Sequence, residues 1–374
     1  MKLAITGADG FLAWHLRVRL RAQQNVEAVA LTRDQFVRPE ALANALEGVD
    51  TVIHLAGVNR AASDEAVEHG NIEIARTLAK ALSGINLPVH VVYGNSIQSH
   101  SNNPYGRGKK AAGEIVAQAV SGAGGTFADI LLPNLFGEHG RPDYNSFVAT
   151  FCHEIANGRL PQVTGDRPVP LLHAQAAAAI LIVAALRRES HKVVPVATEH
   201  FVSGTLAKII DFHEKYTLGQ IPALPNEFSV DLFNTYRSYM FPQHYPFKAT
   251  VNADRRGDLF ETVRIHGGTG QTFVSTTVPG ATRGDHYHLK KIERFFVLKG
   301  RAEIALRRVY DDEVIRFRVR GGDRCFVDMP TMWVHNITNV GDNDLVTMFW
   351  ADQLLDPAAP DTYWEHVDSA GGSQ

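Results

Sequence analysis

The stretch GATRGDHYHLKKIERFFVLKG places His286 and His288 two apart, Glu293 five residues on, and a glycine at each end. Further along, MPTMWVHNITN supplies His335. On a β-strand, residues two apart share a face, so His286 and His288 would project the same way. Three imidazoles and a carboxylate gathered from neighbouring strands suit zinc, iron, manganese or nickel. Ligand type alone does not choose among these, and zinc is the leading expectation. With 17 histidines in the chain, a bare His-x-His pair would carry little weight. The whole run from Gly280 to Gly300 carries the argument.

A second reactive set lies nearer the N-terminus. NPYGRGKKAAGE puts Tyr105 and Lys109 four apart, on one face of an expected helix. A phenol takes part in carbonyl proton transfer only if its pKa comes down from about 10. A neighbouring ammonium does this by favouring the phenolate. Ser96, at the end of PVHVVYGNS, offers a hydroxyl to a substrate oxygen.

The elements that must position this set alternate regularly. KLAITGA, VEAVALT, DTVIHLAG and PVHVVYGNS read as buried strands; FLAWHLRVRLRAQ, EALANALEG and NIEIARTLAKALSG read as helices between them. Such alternation implies an α/β Rossmann-like, doubly wound parallel sheet, with ligands beyond the C-terminal strand ends. The first turn, TGADGFLA, carries Gly7, Gly10 and Ala13 between strand and helix. Glycine lets backbone approach a pyrophosphate, and the helix N-terminus favours its charge.

Together these motifs resemble the extended short-chain dehydrogenase/reductase family, over residues 1–245. The resemblance implies NAD(P) held at Gly7, Gly10 and Ala13 and by Leu55, Ala56 and Gly57, with Ser96, Tyr105 and Lys109 catalytic. It also implies that Asn71 supports the lysine through water, its other reading being a helix-start residue. Asn134, in LPNLFG, matches the segment that binds the nucleotide sugar. Ala13 replaces the family's third glycine. In ALTRD, Arg33 precedes Asp34 after the second strand, and arginine suits a 2'-phosphate, so NADPH is expected. The family's 4,6-dehydratases carry acids after the serine; NSIQS has none, which leaves reduction or epimerisation.

The alternation stops in the Pro- and aromatic-rich segment around DLFNTYRSY, read as a linker, and the boundary is set near residue 245. Short runs then follow: TFVSTTV, RFFVLKG, RAEIALRRV, VIRFRVRGGD and LVTMFWA. They predict an antiparallel sandwich or barrel over 246–374, which the cupin resemblance given next implies is an all-β jelly roll. The histidine run resembles the first cupin motif, and Pro330, His335 and Asn339 the second, with Met332 where glycine is usual. DRRGDLFE resembles the lead-in of cupin sugar 3,5-epimerases. Tyr287 and Asp285 fall on the strand face away from the proposed ligands and are poor acid/base candidates.

The order of the two halves resembles bifunctional capsular polysaccharide enzymes that fuse a reductase to a cupin. That resemblance implies a homodimer acting on a UDP-4-keto-6-deoxy-N-acetylhexosamine. The cupin would epimerise C3 and the reductase would reduce C4 with NADPH, toward UDP-N-acetyl-L-fucosamine. A single-activity reductase with a structural cupin, a 4-epimerase, and a sugar-nucleotide sensor are the rival readings.

Bulk properties agree with such an enzyme. The net charge of −3 gives no basic field for nucleic acid. Two cysteines, Cys152 and Cys325, make no disulfide framework and suit a reducing cytoplasm. MKLAITGADG reaches its glycine turn before a signal-peptide core could form, and no apolar run approaches the ~20 residues of a membrane span. The tail SAGGSQ is of low complexity.

Overall fold

The structure is a computed structural model that describes residues 1–23, 26–85 and 88–368; the tail SAGGSQ lies outside them. It divides into two compact units, 1–136 with 167–200 and 137–166 with 201–374.

The first unit runs β1 (Lys2–Thr6), α1 (Phe11–Ala22), β2 (Glu27–Leu31), α2 (Pro39–Ala45), β3 (Thr51–His54), α3 (Asp64–Ser83), β4 (His90–Ser96), α4 (Pro104–Gly122) and β5 (Thr126–Leu132). A second small sheet combines β6 (Asn134–Phe136), β7 (Pro168–His173) and a later strand at Thr198–Phe201. Helix α5 (Phe147–Ala156) belongs to the other unit; α6 (Ala174–Arg187) and β8 (His191–Val193) complete this one. The main sheet has the order β2-β1-β3-β4-β5-β8, and every pairing in it is parallel. Alternate side chains explain the two helical layers. Leu3, Ile5, Ile53, Val92 and Ile130 pack with α1 and α6, while Ala4, Val52, Val91 and Tyr93 pack with α2, α3 and α4. The strand order reverses between β1 and β3, where ligands bind in sheets of this kind.

The strand at Thr198–Phe201 is β9, and the second unit takes in α7 (Val202–Tyr216) and α8 (Glu227–Met240) after it. The β-region starts with β10 (Phe247–Lys248) and the exposed hairpin β11 (Val251–Asp254) and β12 (Gly257–Phe260). It goes on through β13 (Gln271–Thr277), β14 (Thr282–Tyr287), β15 (Glu293–Lys299), β16 (Arg301–Arg308), β17 (Val314–Arg320), β18 (Cys325–Met329), β19 (Trp333–Asn339), β20 (Leu345–Ala351) and β21 (Tyr363–Trp364). Two five-stranded antiparallel sheets result, β10-β18-β15-β20-β13 and β17-β16-β19-β14-β21.

The segment read as a linker is helix α8. Asn226 caps it by accepting from Ser229 N, and Leu232, Phe233, Tyr236 and Met240 are buried. Polar side chains fasten α7 and α8 to the sheets. Arg294 and Asp328 form a fully buried pair at 2.7 Å. Tyr216 O–H donates to Asp328 at 2.9 Å, and Arg237 donates to Met329 O at 2.6 Å.

Candidate functional site

The expected cofactor residues of the first unit gather at the C-terminal ends of its parallel strands. Gly7 has φ 66°, and a Cβ there would lie 2.9 Å from the Ala56 backbone. Glycine is thus required on two counts, a left-handed turn and a close approach to the chain after β3. Gly10 is the N-cap of α1 and provides no side-chain cap, and the first turn holds no acid. The helix start is therefore a backbone cradle suited to a pyrophosphate, which is the fit a nicotinamide dinucleotide needs. Ala13 is buried in the α1 interface, where a methyl group is accommodated.

Leu55, Ala56 and Gly57 form the loop after β3. Thr6 Oγ1 accepts from Leu55 N and Ala56 N at 3.1 Å each and lies 2.7 Å from His54 Nδ1. With its lone pairs occupied, the hydroxyl donates to that nitrogen. Asn71 sits within α3, not at its start. Its amide accepts from Val58 N at 3.1 Å and donates to Val58 O and Val67 O at 2.7 and 2.8 Å. Those bonds make Asn71 a clasp on the cofactor-side loop, and its place inside α3 sets aside the helix-start reading. Arg33 is exposed at the start of a short 3-10 turn after β2. Asn134 is exposed on β6, its amide donating to Pro170 O at 3.4 Å.

Ser96 ends β4, and Tyr105 and Lys109 lie in the first turns of α4. Asn103 caps that helix by accepting from Gly106 N at 2.7 Å, and Pro104 takes its first position. At Gly106 a Cβ would come 2.2 Å from Gln98 O, so glycine lets α4 start against the turn that follows Ser96. Burial pushes the Tyr105 phenol above its ordinary pKa, and a hydrogen bond with Ser96 opposes that rise. This corrects the expected depression by Lys109. The lysine is buried, donates to Gly94 O at 2.8 Å and lies 4.2 Å from the Tyr93 ring centre. Burial lowers its own pKa to about 7, with Asp129 pulling the other way. Asn95 escaped the sequence reading. It donates to Asp129 at 2.8 Å and accepts from Ser96 N at 2.8 Å, so it fixes the end of β4. Nothing local in the sequence signals a pairing across 34 positions.

In the second unit, one ligand atom each from His286, His288, Glu293 and His335 lies within 4.8 Å of the others. β14 and β19 of one sheet supply His286 and His335, and β15 of the other begins at Glu293. His288 falls one residue beyond β14. The strand expected through both histidines ends between them, at Tyr287, and a bulge between Gly284 and His286, with Asp285 at φ 58°, lies just before them. The rings still converge, with centroids 4.9 Å apart. Glu293 Oε2 lies 3.0 Å from His288 Nε2, 3.4 Å from His335 Nε2 and 3.8 Å from His286 Nε2.

The donor pattern fits a cation. His288 Nδ1–H donates to Asp361 O, and His335 Nδ1–H donates to Trp333 O at 2.9 Å. In that tautomer both Nε2 lone pairs face the carboxylate, and no well-aligned hydrogen-bond partner meets them among the described residues. Lone pairs directed at an anionic oxygen repel, and a bound cation removes the repulsion. Burial lowers His335 to about 4, which keeps it a neutral ligand.

The second motif has structural work of its own. Met332 has φ 62°, the left-handed conformation that makes glycine usual there, and its N–H donates to His288 O at 2.7 Å. Asn339 donates to Thr277 O and Asn343 O at 2.7 and 2.9 Å and closes a turn. Asp285 is engaged by Asn336 at 2.8 Å, His366 at 3.0 Å and Val367 N at 3.2 Å.

The fold and its dinucleotide cradle define a nicotinamide-dependent enzyme type. The family model described as NAD dependent epimerase/dehydratase matches residues 3–197, and the chain belongs to that family. Residues 252–363 match the polysaccharide biosynthesis C-terminal domain. More particularly, the chain is CapF-like over nearly its whole length. It is 30% identical to the crystal structure of the capsular polysaccharide assembling protein CapF from Staphylococcus aureus, at a TM-score of 0.61, covering 98% of this chain and 100% of that one. It is 31% identical to a Pseudomonas aeruginosa protein named UDP-2-acetamido-2,6-beta-L-arabino-hexul-4-ose reductase, over 97% of this chain and 98% of that one. A UDP-N-acetylglucosamine 4-epimerase from Bacillus cereus shares the fold, at 20% identity, a TM-score of 0.50, and coverage of 57% of this chain and 82% of that one. Among the described residues no helix is long and apolar enough to cross a membrane.

Proposed function

We propose that the chain is a bifunctional enzyme of sugar-nucleotide metabolism, active in the cytoplasm as a homodimer. The C-terminal cupin (246–374) epimerises C3 of a UDP-4-keto-6-deoxy-N-acetylhexosamine. The N-terminal domain (1–245) reduces C4 with NADPH, toward UDP-N-acetyl-L-fucosamine for capsule or O-antigen. The observation that carries this reading is the match to a protein named as a 4-ulose reductase across both halves of the chain. The converging imidazoles and carboxylate support a second reaction.

NADPH supplies hydride to C4. Gly7, Gly10, Ala13 and the loop Leu55–Gly57 bind the dinucleotide, and Asn71 holds that loop in place. Arg33 would pair with the 2'-phosphate. Ser96 binds the C4 oxygen, and Tyr105 gives that oxygen a proton as hydride arrives. Lys109, close beneath the same site, would balance the phenolate that Tyr105 becomes and orient the ribose. Asn134 binds the sugar nucleotide. In the cupin, His286, His288, Glu293 and His335 would hold a divalent metal, zinc in the first instance, which would supply Lewis-acid polarisation of the C4 carbonyl. The ketone acidifies the C3 proton, so inversion must come before reduction removes the ketone.

The relative's name describes reduction alone, which favours a second reading: a single-activity reductase, or a 4-epimerase, with a structural cupin. NMR of the sugar nucleotide in deuterated water, first without and then with NADPH, separates these. Deuterium entering C3 before NADPH is added, followed by stoichiometric NADPH consumption, is the expected result. No exchange at C3 leaves the single activity. Inversion at C4 without net NADPH consumption identifies a 4-epimerase.

A further inference from the structure

Four residues, Leu289 to Ile292, join the ligand His288 to the ligand Glu293. Their backbone N–H groups have no strand to pair with, since β14 ends at Tyr287 and β15 begins at Glu293. All four are bound by two aspartates distant in sequence. The Asp361 carboxylate accepts from Leu289 N at 2.9 Å, Lys290 N at 2.8 Å and Lys291 N at 2.8 Å. Asp352 accepts from Ile292 N at 2.9 Å. Asp361 then acts a second time: its carbonyl oxygen accepts from His288 Nδ1. One residue therefore fixes both the path of the inter-ligand loop and the tautomer and ring orientation of a ligand.

The segment that carries Asp361 is itself anchored at its far end. β21 pairs with β14, matching Trp364 with His286. Beyond it, Arg307 donates to Glu365 at 2.7 Å and to Val367 O at 2.8 Å, and Asp285 accepts from Val367 N. Residues 361–367 thus form a strap across the histidine strand, pinned by Arg307 and Asp285 at one end and by Asp361 at the other.

The geometry points to Asp361 as a positioning residue of the metal centre, acting through His288 and the 289–291 backbone. This rests on the reading of the cluster as a metal site. A ligating imidazole needs its second nitrogen held so that the lone pair of the first stays on the metal, and loss of such a partner costs about 10–100-fold in metal affinity. A carboxylate that accepts three consecutive N–H groups is not replaced by an amide, which presents a donor where an acceptor is needed.

The test is equilibrium binding of Zn2+ and Co2+ to the full-length chain by competition with a chromophoric chelator. Wild type, Asp361→Asn, Asp361→Ala and His288→Ala are compared, with the visible Co2+ spectrum as a second readout. Asp361→Asn is close to isosteric and keeps the fold available if Asp361→Ala does not. The expected result is a 10–100-fold weaker metal constant for Asp361→Asn, a changed Co2+ spectrum, and a smaller metal-induced rise in Tm. A merely structural role would lower Tm equally with and without metal and leave the constant alone. A constant within twofold of wild type, with an unchanged spectrum, overturns the assignment of Asp361 and leaves the metal centre standing. A wild-type chain that binds neither ion, or a His288→Ala chain that binds as well as wild type, overturns the metal reading and this inference with it.

Discussion

Lys109 allows a prediction worked from one buried charge. Its side chain is packed under α4 with 4% exposure, donates to Gly94 O, and lies against the Tyr93 ring. Burial lowers its pKa from 10.5 to about 7. Between those two values the unfolded chain holds a proton that the folded chain does not. Stability therefore rises with pH across this window, by up to about 1.4 kcal/mol per unit from this group alone. Below about pH 7 the lysine is charged in both states, the full penalty is present, and its contribution is flat. From pH 7.5 to 9 the gain is roughly 2 kcal/mol. Lys109→Met keeps the aliphatic stem and removes the titration. It also loses the bond to Gly94, which shifts stability by a constant without changing the slope. The assay is urea unfolding of both proteins, followed by circular dichroism at half-unit pH steps. The stability of wild type relative to the variant should climb by roughly 2 kcal/mol across that range. A difference independent of pH would refute the reasoning, because Lys109 would then keep its proton in the fold throughout.

Tyr105→Phe should abolish NADPH oxidation while cofactor binding, read by fluorescence titration, survives; turnover within tenfold of wild type, a loss of under about 1.4 kcal/mol of barrier stabilisation, would remove the phenol from the proton path. Arg33→Ala should weaken NADPH and leave NADH unchanged in steady-state kinetics, and an unaltered preference would mean that the 2'-phosphate is read elsewhere. His288→Ala should lose metal by elemental analysis and stop deuterium uptake at C3, while reduction of a C3-inverted ketone continues. Wild-type exchange in that metal-free variant would make the metal irrelevant to the chemistry.

Much of this molecule is local and could be read along the chain. A buried parallel strand must be apolar over its whole length, and a turn that approaches another backbone must be glycine. Hence β1, Gly7 and the start of the first helix are visible in KLAITGADGFLA. The candidate ligand types and the turns around His286, His288, Glu293 and His335 are equally local, because metal chemistry limits which side chains could serve. What only the tertiary structure decided concerns groups whose partners are far away in sequence. DLFNTYRSY reads as a linker because its buried polar residues break the apolar pattern of a helix. It is a helix because Arg237 finds Met329 O and Tyr216 across the fold. The amide of Asn71 is taken by Val58 O and Val67 O, and the loop partner Val58 is not signalled by its place in the sequence. Lys109 was expected to lower a phenol, but burial acts on both groups and depth is not written in local spacing. Asp361 stands 73 residues from His288. An aspartate between proline and threonine gives no sign that it holds a ligand, because the N–H groups it satisfies come together only when the strands have paired.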